Sequence, residues 1–109
     1  MATIVAIASD LMFGSRIVET LGGSGHRIEL AASLGEAPLE AADLLIADLD
    51  TEPSEALVGL GIPVLGYYSH VETATKQEAE AAGVDLVVPR SRMAREMPQL
   101  VSGLLEMPR

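Results

Sequence analysis

Aspartates follow two of the most apolar segments of the chain, at the positions where these segments end. Asp10 comes directly after the run TIVAIAS, and Asp48 and Asp50 close the run LLIADLD. Carboxylates that lie close together repel one another unless a cation neutralises them. Mg²⁺ prefers carboxylate, carbonyl and water oxygens. The three aspartates are therefore candidate ligands of a magnesium ion. The alternative is that each of them caps the helix or turn that follows it.

Short apolar runs predict the strands that would position these acids. Several of the runs are continuous rather than alternating, which is typical of strands buried on both faces of a parallel sheet. The carboxyl ends of parallel strands meet at one edge, where functional sites of such sheets lie, so we expect the acids to converge there. The five predicted strands are Thr3–Ala8, Arg27–Ala31, Asp43–Ala47, Ile62–Tyr67 and Val84–Val88.

Apolar residues at helical spacing predict two clear helices. The first presents a face of Phe13, Ile17, Val18 and Leu21 and ends at the Gly22-Gly23 pair. The last carries its apolar residues at the helical interval from Met93 to Leu105.

The other connections predict weaker helices. Residues Val71–Ala82 favour a helix, but its apolar stripe, starting at Val71 and Ala74, is thin. The Ser33–Ala42 connection has room for one or two helical turns, and a helix of about two turns is predicted over Glu55–Leu60. Strands alternating with helices predict a doubly wound α/β sheet.

Composition limits the class of protein. The 109 residues are enough for one domain, so we treat residues 1–109 as a single unit. Sixteen acidic and seven basic side chains give a net charge of −9, which argues against nucleic-acid binding. There is no cysteine, which excludes disulfides and thiolate metal sites. The N-terminal apolar run is too short for a signal peptide or a membrane span, so we expect a cytoplasmic protein that does not bind membranes.

The chain resembles the receiver domains of response regulators along nearly its whole length. Asp43–Pro53 resembles the third strand of that family, in which one aspartate opens the strand and the phospho-accepting aspartate closes it five residues later. Ile62–Ser69 resembles the fourth strand, Ala81–Arg90 the fifth, and Ser9–Val18 the first loop and helix. The resemblance implies a flavodoxin-like (CheY-like) five-stranded parallel sheet with strand order 2-1-3-4-5. Because the chain is shorter than usual around helices 2 and 3, we expect both to be shortened.

The resemblance also implies roles for the acidic residues. Asp48 would be the phospho-acceptor, attacking a phosphohistidine or a small phosphodonor. Asp10 and Asp48 would bind Mg²⁺ with their side chains, and Asp50 would bind it with its backbone carbonyl. The domain itself would not be an enzyme.

Three positions depart from the receiver pattern. Ser9 stands where receivers have the first of two adjacent acids. Tyr68 aligns with the Thr or Ser that contacts the phosphoryl oxygen, and Ser69 comes one residue late. Receivers end the fifth strand with a Lys-Pro pair, whereas this chain has Pro89-Arg90. Arg90 has the charge of that lysine, but one step along a strand turns a side chain to the other face.

These departures favour an atypical receiver, or pseudo-receiver, that works by protein contact with weak or absent phosphorylation. Its partner would be a histidine kinase, a phosphotransfer protein, another signalling protein or a second copy of the chain. Arg92 and Arg95 are candidate partner contacts, or a solvated patch. One alternative is a conventional response regulator that is phosphorylated on Asp48 with Mg²⁺. A second alternative is a flavodoxin-like domain that binds a small ligand at the same edge.

Overall fold

A computed structural model describes residues 2–69 and 73–107, and within these residues it contains one sheet of five parallel strands. The strands lie in the order β2-β1-β3-β4-β5, which confirms the predicted sheet. Each observed strand end lies within two residues of the predicted one. In chain order the strands are β1 Thr3–Ile7, β2 Arg27–Ala31, β3 Leu44–Asp48, β4 Val64–Tyr68 and β5 Leu86–Pro89.

The α-helices of the described residues cover the two faces of the sheet unequally. Helices α1 (Leu11–Gly23) and α3 (Arg90–Glu106) pack on one face, whereas α2 (Thr73–Ala82) packs on the other. Alternate residues of each strand supply the two cores, as the pleat of a strand requires. In β3, for example, Leu44 and Ile46 face α1 and α3, and Leu45 and Ala47 face α2. None of the described helices is long and apolar enough to cross a membrane.

Helix α1 follows the sequence closely. Phe13, Ile17 and Leu21 are buried, whereas Val18, which was predicted to share their face, is 37% exposed. The helix ends at Gly23, and Gly25 then adopts a φ of +90°, which only glycine reaches without strain. The predicted stop at Gly22-Gly23 is therefore correct to within one residue.

The second face lacks two of the helices that alternate with strands elsewhere in the chain. The connection from β2 to β3 contains one turn of 3₁₀ helix, Leu34–Glu36. The connection from β3 to β4 also contains one turn, Ser54–Ala56, so the predicted helix over Glu55–Leu60 is wrong. Gly59 and Gly61 have φ values of +74° and +80°, which are incompatible with a continuing α-helix. The backbone N–H of Leu34 donates to Glu52 Oε1 at 2.8 Å and joins the two connections.

Helices α2 and α3 both differ in detail from the predicted pattern. In α2, Ala79 is fully buried and Ala74 is exposed, so the apolar stripe was placed on the wrong side. The predicted start of this helix at Val71 lies outside the described residues. Helix α3 begins at Arg90, and its backbone leaves the helical region at Glu96, with φ −118° and ψ 15°. This kink precedes Pro98, which has no N–H to donate to the preceding turn.

Candidate functional site

The carboxyl ends of β1, β3, β4 and β5 bring the predicted site residues to one edge of the sheet. The hydroxyl of Tyr67 lies beneath this edge and donates to the carbonyl oxygen of Ile7 at 3.4 Å. Burial raises the pKa of Tyr67, and the charges of Asp48, Arg90, Asp10 and Asp50 also act on it. The predicted acids and Arg90 therefore share the surroundings of one buried phenol.

Asp10 caps helix α1. Its Oδ1 accepts hydrogen bonds from the backbone N–H groups of Met12 at 2.9 Å and Phe13 at 3.2 Å. Its Oδ2 accepts from Nη2 of Arg90 at 2.5 Å. The hydrogen bond from Arg90 is the main cause that lowers the pKa of Asp10. Both the capping role and the site role considered for Asp10 are thus compatible with its position, but its carboxylate already has a cationic partner.

Arg90 is the first residue of α3, not a continuation of β5. Pro89 occupies the N-cap position, with φ −68° and ψ 152°, and the chain turns into the helix directly after it. The argument from strand alternation therefore does not apply to Arg90. Its guanidinium carbon lies 4.3 Å from the centre of the Phe13 ring, and that ring packs against Tyr67 with centroids 5.0 Å apart. Arg90 is directed toward Asp10 and Phe13, and its charge is only the smallest of the influences on the pKa of Asp48.

Asp48 ends β3 with its side chain only 7% exposed. The backbone N–H of Asp50 donates to Oδ1 at 2.9 Å, and the hydroxyl of Ser9 donates to Oδ2 at 3.2 Å. Burial is the main cause that raises the pKa of Asp48, and it outweighs these two hydrogen bonds. Ser9, which the sequence marked only as a missing acid, is thus a neutral hydrogen-bond donor to the candidate phospho-acceptor.

Asp50 and Ser69 form a second pair at this edge. The backbone N–H of Ser69 donates to Oδ2 of Asp50 at 2.9 Å, and the Ser69 hydroxyl donates to the same oxygen. The other carboxylate oxygen, Oδ1, is buried, and among the described residues it has no hydrogen-bond partner. The Ser69 hydroxyl, predicted as a contact for a phosphoryl group, therefore binds a carboxylate of the chain itself.

A groove of about 630 Å³ lies beside these acids, between α1 and the start of α3. Phe13, Pro89 and Ala94 contribute its apolar wall, and Tyr68 and Arg16 line it as well. Tyr68 is half-buried there rather than fully exposed. Sequence reasoning missed Phe13 and Arg16 at this site, because their helical spacing indicated only a core face and a solvated face of α1.

Arg92 and Arg95 lie on the exposed side of α3, where both pair with Glu96. Arg92 Nε is 3.4 Å from Glu96 Oε1, and Arg95 Nη2 is 3.7 Å from Glu96 Oε2. Exposed pairs of this kind contribute little to stability. The predicted partner-contact role of the two arginines stays a prediction.

The predicted magnesium ligands, the side chains of Asp10 and Asp48 and the backbone carbonyl of Asp50, stay a prediction. Within residues 2–69 and 73–107, no group of three or more His, Asp or Glu side chains is placed to bind one metal ion. Instead, the carboxylate of Asp10 accepts from Arg90, that of Asp48 from Ser9, and that of Asp50 from Ser69.

Comparison with known proteins relates the fold to solved structures. No protein-family model matches the chain, and no curated protein matches its sequence. The receiver domain of HemR from Leptospira biflexa superposes with a TM-score of 0.82 at 20% identity, covering 100% of this chain and 98% of that one. CheY4 of Vibrio cholerae gives 0.78 at 18% identity, covering 95% and 98%.

A third solved structure shows the same fold within a longer chain. NtrX from Brucella abortus gives a TM-score of 0.82 at 16% identity, and the match covers 96% of this chain but only 27% of NtrX. Together with the strand order 2-1-3-4-5, these likenesses show that the chain has the CheY-like fold of response-regulator receiver domains.

Proposed function

We propose that this chain is an atypical receiver domain that acts in signal transduction by contacting other proteins, with weak or absent phosphorylation of Asp48. The observation that carries the proposal is that the chain's own groups bind each carboxylate of the candidate site. Arg90 binds Asp10, Ser9 binds Asp48, and Ser69 binds Asp50. Phosphoryl transfer to an aspartate needs a free carboxylate oxygen and cations that offset the developing charge.

The surroundings of Asp48 also restrict access to its carboxylate. Its two oxygens accept hydrogen bonds from Ser9 and Asp50, and the side chain is 7% exposed. A phosphodonor would have to displace the Ser9 hydroxyl to reach Oδ2.

Acetyl phosphate with Mg²⁺ tests the proposal directly. We expect intact-mass measurement to show no stoichiometric addition of a phosphoryl group to the wild-type chain. Asp48→Asn is the matched control, since it removes the candidate nucleophile with little change in size. A phosphoryl adduct that forms on the wild-type chain and disappears in Asp48→Asn would instead support the conventional response regulator.

Beryllium fluoride with Mg²⁺ gives a second readout of the same question. This phosphoryl mimic should leave the NMR amide signals of Asp48 and its neighbours unchanged. Large, saturable shifts centred on Asp48 would contradict weak or absent phosphorylation, even if the acyl phosphate is too short-lived for mass measurement.

The groove beside Arg90 favours a small-ligand site as the second candidate function. Its volume of about 630 Å³ lies within the range of small-molecule sites, and Arg16 and Tyr68 add polar groups to an apolar wall. A thermal-shift screen with nucleotides and flavins separates this function from protein contact. A saturable rise in melting temperature with one compound class would support it.

A further inference from the structure

We infer that the guanidinium group of Arg90 is the resident cation of this acidic edge, and that it excludes divalent cations from Asp10. Arg90 is thus a residue that determines cation specificity. The inference concerns cation binding alone. It goes beyond the proposed function and does not depend on any partner or on phosphorylation.

The position of the guanidinium rests on contacts from two sides. Nη2 lies 2.5 Å from Oδ2 of Asp10, and the guanidinium carbon lies 4.3 Å from the centre of the Phe13 ring. Phe13 is 5% exposed and packs against the buried Tyr67. A planar guanidinium suits this arrangement, because it binds a carboxylate at its edge while stacking on an aromatic face.

The backbone places the two partners at the starts of two helices. Asp10 is the N-cap of α1, where its side chain accepts two capping bonds, and Arg90 follows the N-cap residue Pro89 as the first residue of α3. The ends of β1 and β5 thus bring a carboxylate and a cation within hydrogen-bonding distance of each other. The contact spans 80 positions of sequence and does not arise from neighbouring residues on one helix.

A divalent cation at Asp10 would have to displace this guanidinium. Mg²⁺ requires near-octahedral oxygen ligands, and a second cation beside Arg90 would experience like-charge repulsion. The other two acids of this edge accept from neutral groups, the hydroxyls of Ser9 and Ser69, and Oδ1 of Asp50 is buried with no hydrogen-bond partner among the described residues. Once Arg90 is removed, these carboxylates are the ones that can join Asp10 in binding a divalent cation. Among the described residues, Asp10 is the acid of this edge with a cationic hydrogen-bond partner.

Thermal unfolding with MgCl₂, compared with NaCl at equal ionic strength, tests the inference on three chains. They are the wild type, Arg90→Gln and Arg92→Gln. The last is the matched control, because it removes one positive charge from the same helix, where Arg92 pairs with Glu96 rather than Asp10. We expect Mg²⁺ to leave the melting temperatures of the wild type and Arg92→Gln unchanged.

For Arg90→Gln we expect a rise of about 5 °C once free Mg²⁺ is tenfold above its dissociation constant. The absence of this rise would overturn the inference, and so would an equal rise in Arg92→Gln or in the wild type.

Paramagnetic Mn²⁺ supplies a readout that does not depend on stability. In Arg90→Gln it should broaden the NMR amide signals of Asp10 and Asp48 selectively, whereas in the wild type it should not. Saturable broadening of these signals in the wild type contradicts the inference, and that result stands even if Arg90→Gln fails to fold.

Discussion

Asp10 lies just after β1 and Asp48 ends the neighbouring strand β3, yet their carboxyl groups have opposite surroundings. Arg90 lowers the pKa of Asp10, whereas burial raises the pKa of Asp48. The folded state therefore favours the charged form of Asp10 and the neutral form of Asp48. The two acids should make contributions of opposite sign to the pH dependence of stability.

Asp48→Asn should stabilise the fold near neutral pH. The pKa of Asp48 is higher in the folded chain than the ordinary value of 3.8, so its ionisation weakens the fold as pH rises through the folded-state pKa. Asparagine does not ionise and keeps an oxygen that can accept from Ser9 or Asp50. The advantage of Asp48→Asn should shrink as pH falls toward 3.8, which urea midpoints at a series of pH values will measure.

Asp10→Asn is the control of opposite sign for this measurement. The pKa of Asp10 is lowered in the folded chain, so its ionisation stabilises the fold above 3.8 and is lost as pH falls through the folded-state pKa. Asparagine retains helix capping. This variant should be less stable than the wild type at neutral pH, with the gap closing on acidification. Equal signs for the two variants would refute the assignment of opposite surroundings.

At the residue scale, sequence predicted which side chains meet but not how they pair. The apolar runs placed Asp10, Asp48 and Asp50 at strand ends, and strand ends converge in any parallel sheet. Arg90 binds Asp10 because α3 begins at Arg90, and Ser69 binds Asp50 because of the path of the loop after β4. The spacing of apolar residues in the sequence carries no information about these local geometries.

At the scale of elements, the packing over the centre of β4 depends on Gly66, which has no side chain. A Cβ atom added to Gly66 would lie 2.8 Å from Cδ1 and 3.0 Å from Cγ of Leu49. Leu49 is buried just after β3, and its backbone N–H donates to the carbonyl oxygen of Tyr67 at 2.8 Å. The glycine therefore allows the turn that carries Asp48 and Asp50 to pack over β4.

Gly66→Ala should destabilise the fold by about 1–3 kcal/mol, the usual cost of overpacking a core. Urea denaturation measures this cost. Gly103→Ala is the matched control, since Gly103 lies on the exposed side of α3 with no atom within 4 Å of an added Cβ, and it should gain up to about 1 kcal/mol. In a Leu49→Ala background the cost of Gly66→Ala should fall. An unchanged cost there would show that Leu49 is not the obstacle.

The elements themselves were predictable to different degrees. Strands and the helices α1 and α3 have strong apolar patterns, so their existence was predicted correctly. The helix predicted over Glu55–Leu60 is wrong, because Gly59 within that segment and Gly61 just after it have positive φ, and the only helical turn described there is the 3₁₀ turn Ser54–Ala56. The buried side of α2 carries small residues such as Ala79. The spacing of the alanines alone did not show that Ala79 is buried and Ala74 is exposed.

At the scale of the whole molecule, a large surplus of negative charge lies on a small body. The net charge is −9, and the principal extents are 34 × 29 × 26 Å. The Debye length is about 30 Å at ~0.01 M salt and about 8 Å at ~0.15 M. Repulsion therefore acts across the entire molecule at low salt and only between neighbours at physiological salt.

The melting temperature should rise by a few degrees with NaCl at neutral pH, because screening weakens this repulsion. Screening also weakens the attraction between Arg90 and Asp10. The energy of this one pair is small beside the repulsion among nine surplus negative charges. Near the isoelectric point of about 4.4 the effect should vanish, which calorimetry at both pH values will measure. A melting temperature that falls with salt at neutral pH would show that local ion pairs dominate instead.

The contact between Asp10 and Arg90 also bears on the order of folding. It joins residues 80 positions apart that follow β1 and β5, and β3 and β4 lie between these strands in the sheet. Loop-closure entropy makes so distant a contact costly before the intervening strands have paired. We therefore expect the pair to form late, after the strands between β1 and β5 have paired, and to slow unfolding more than it speeds folding.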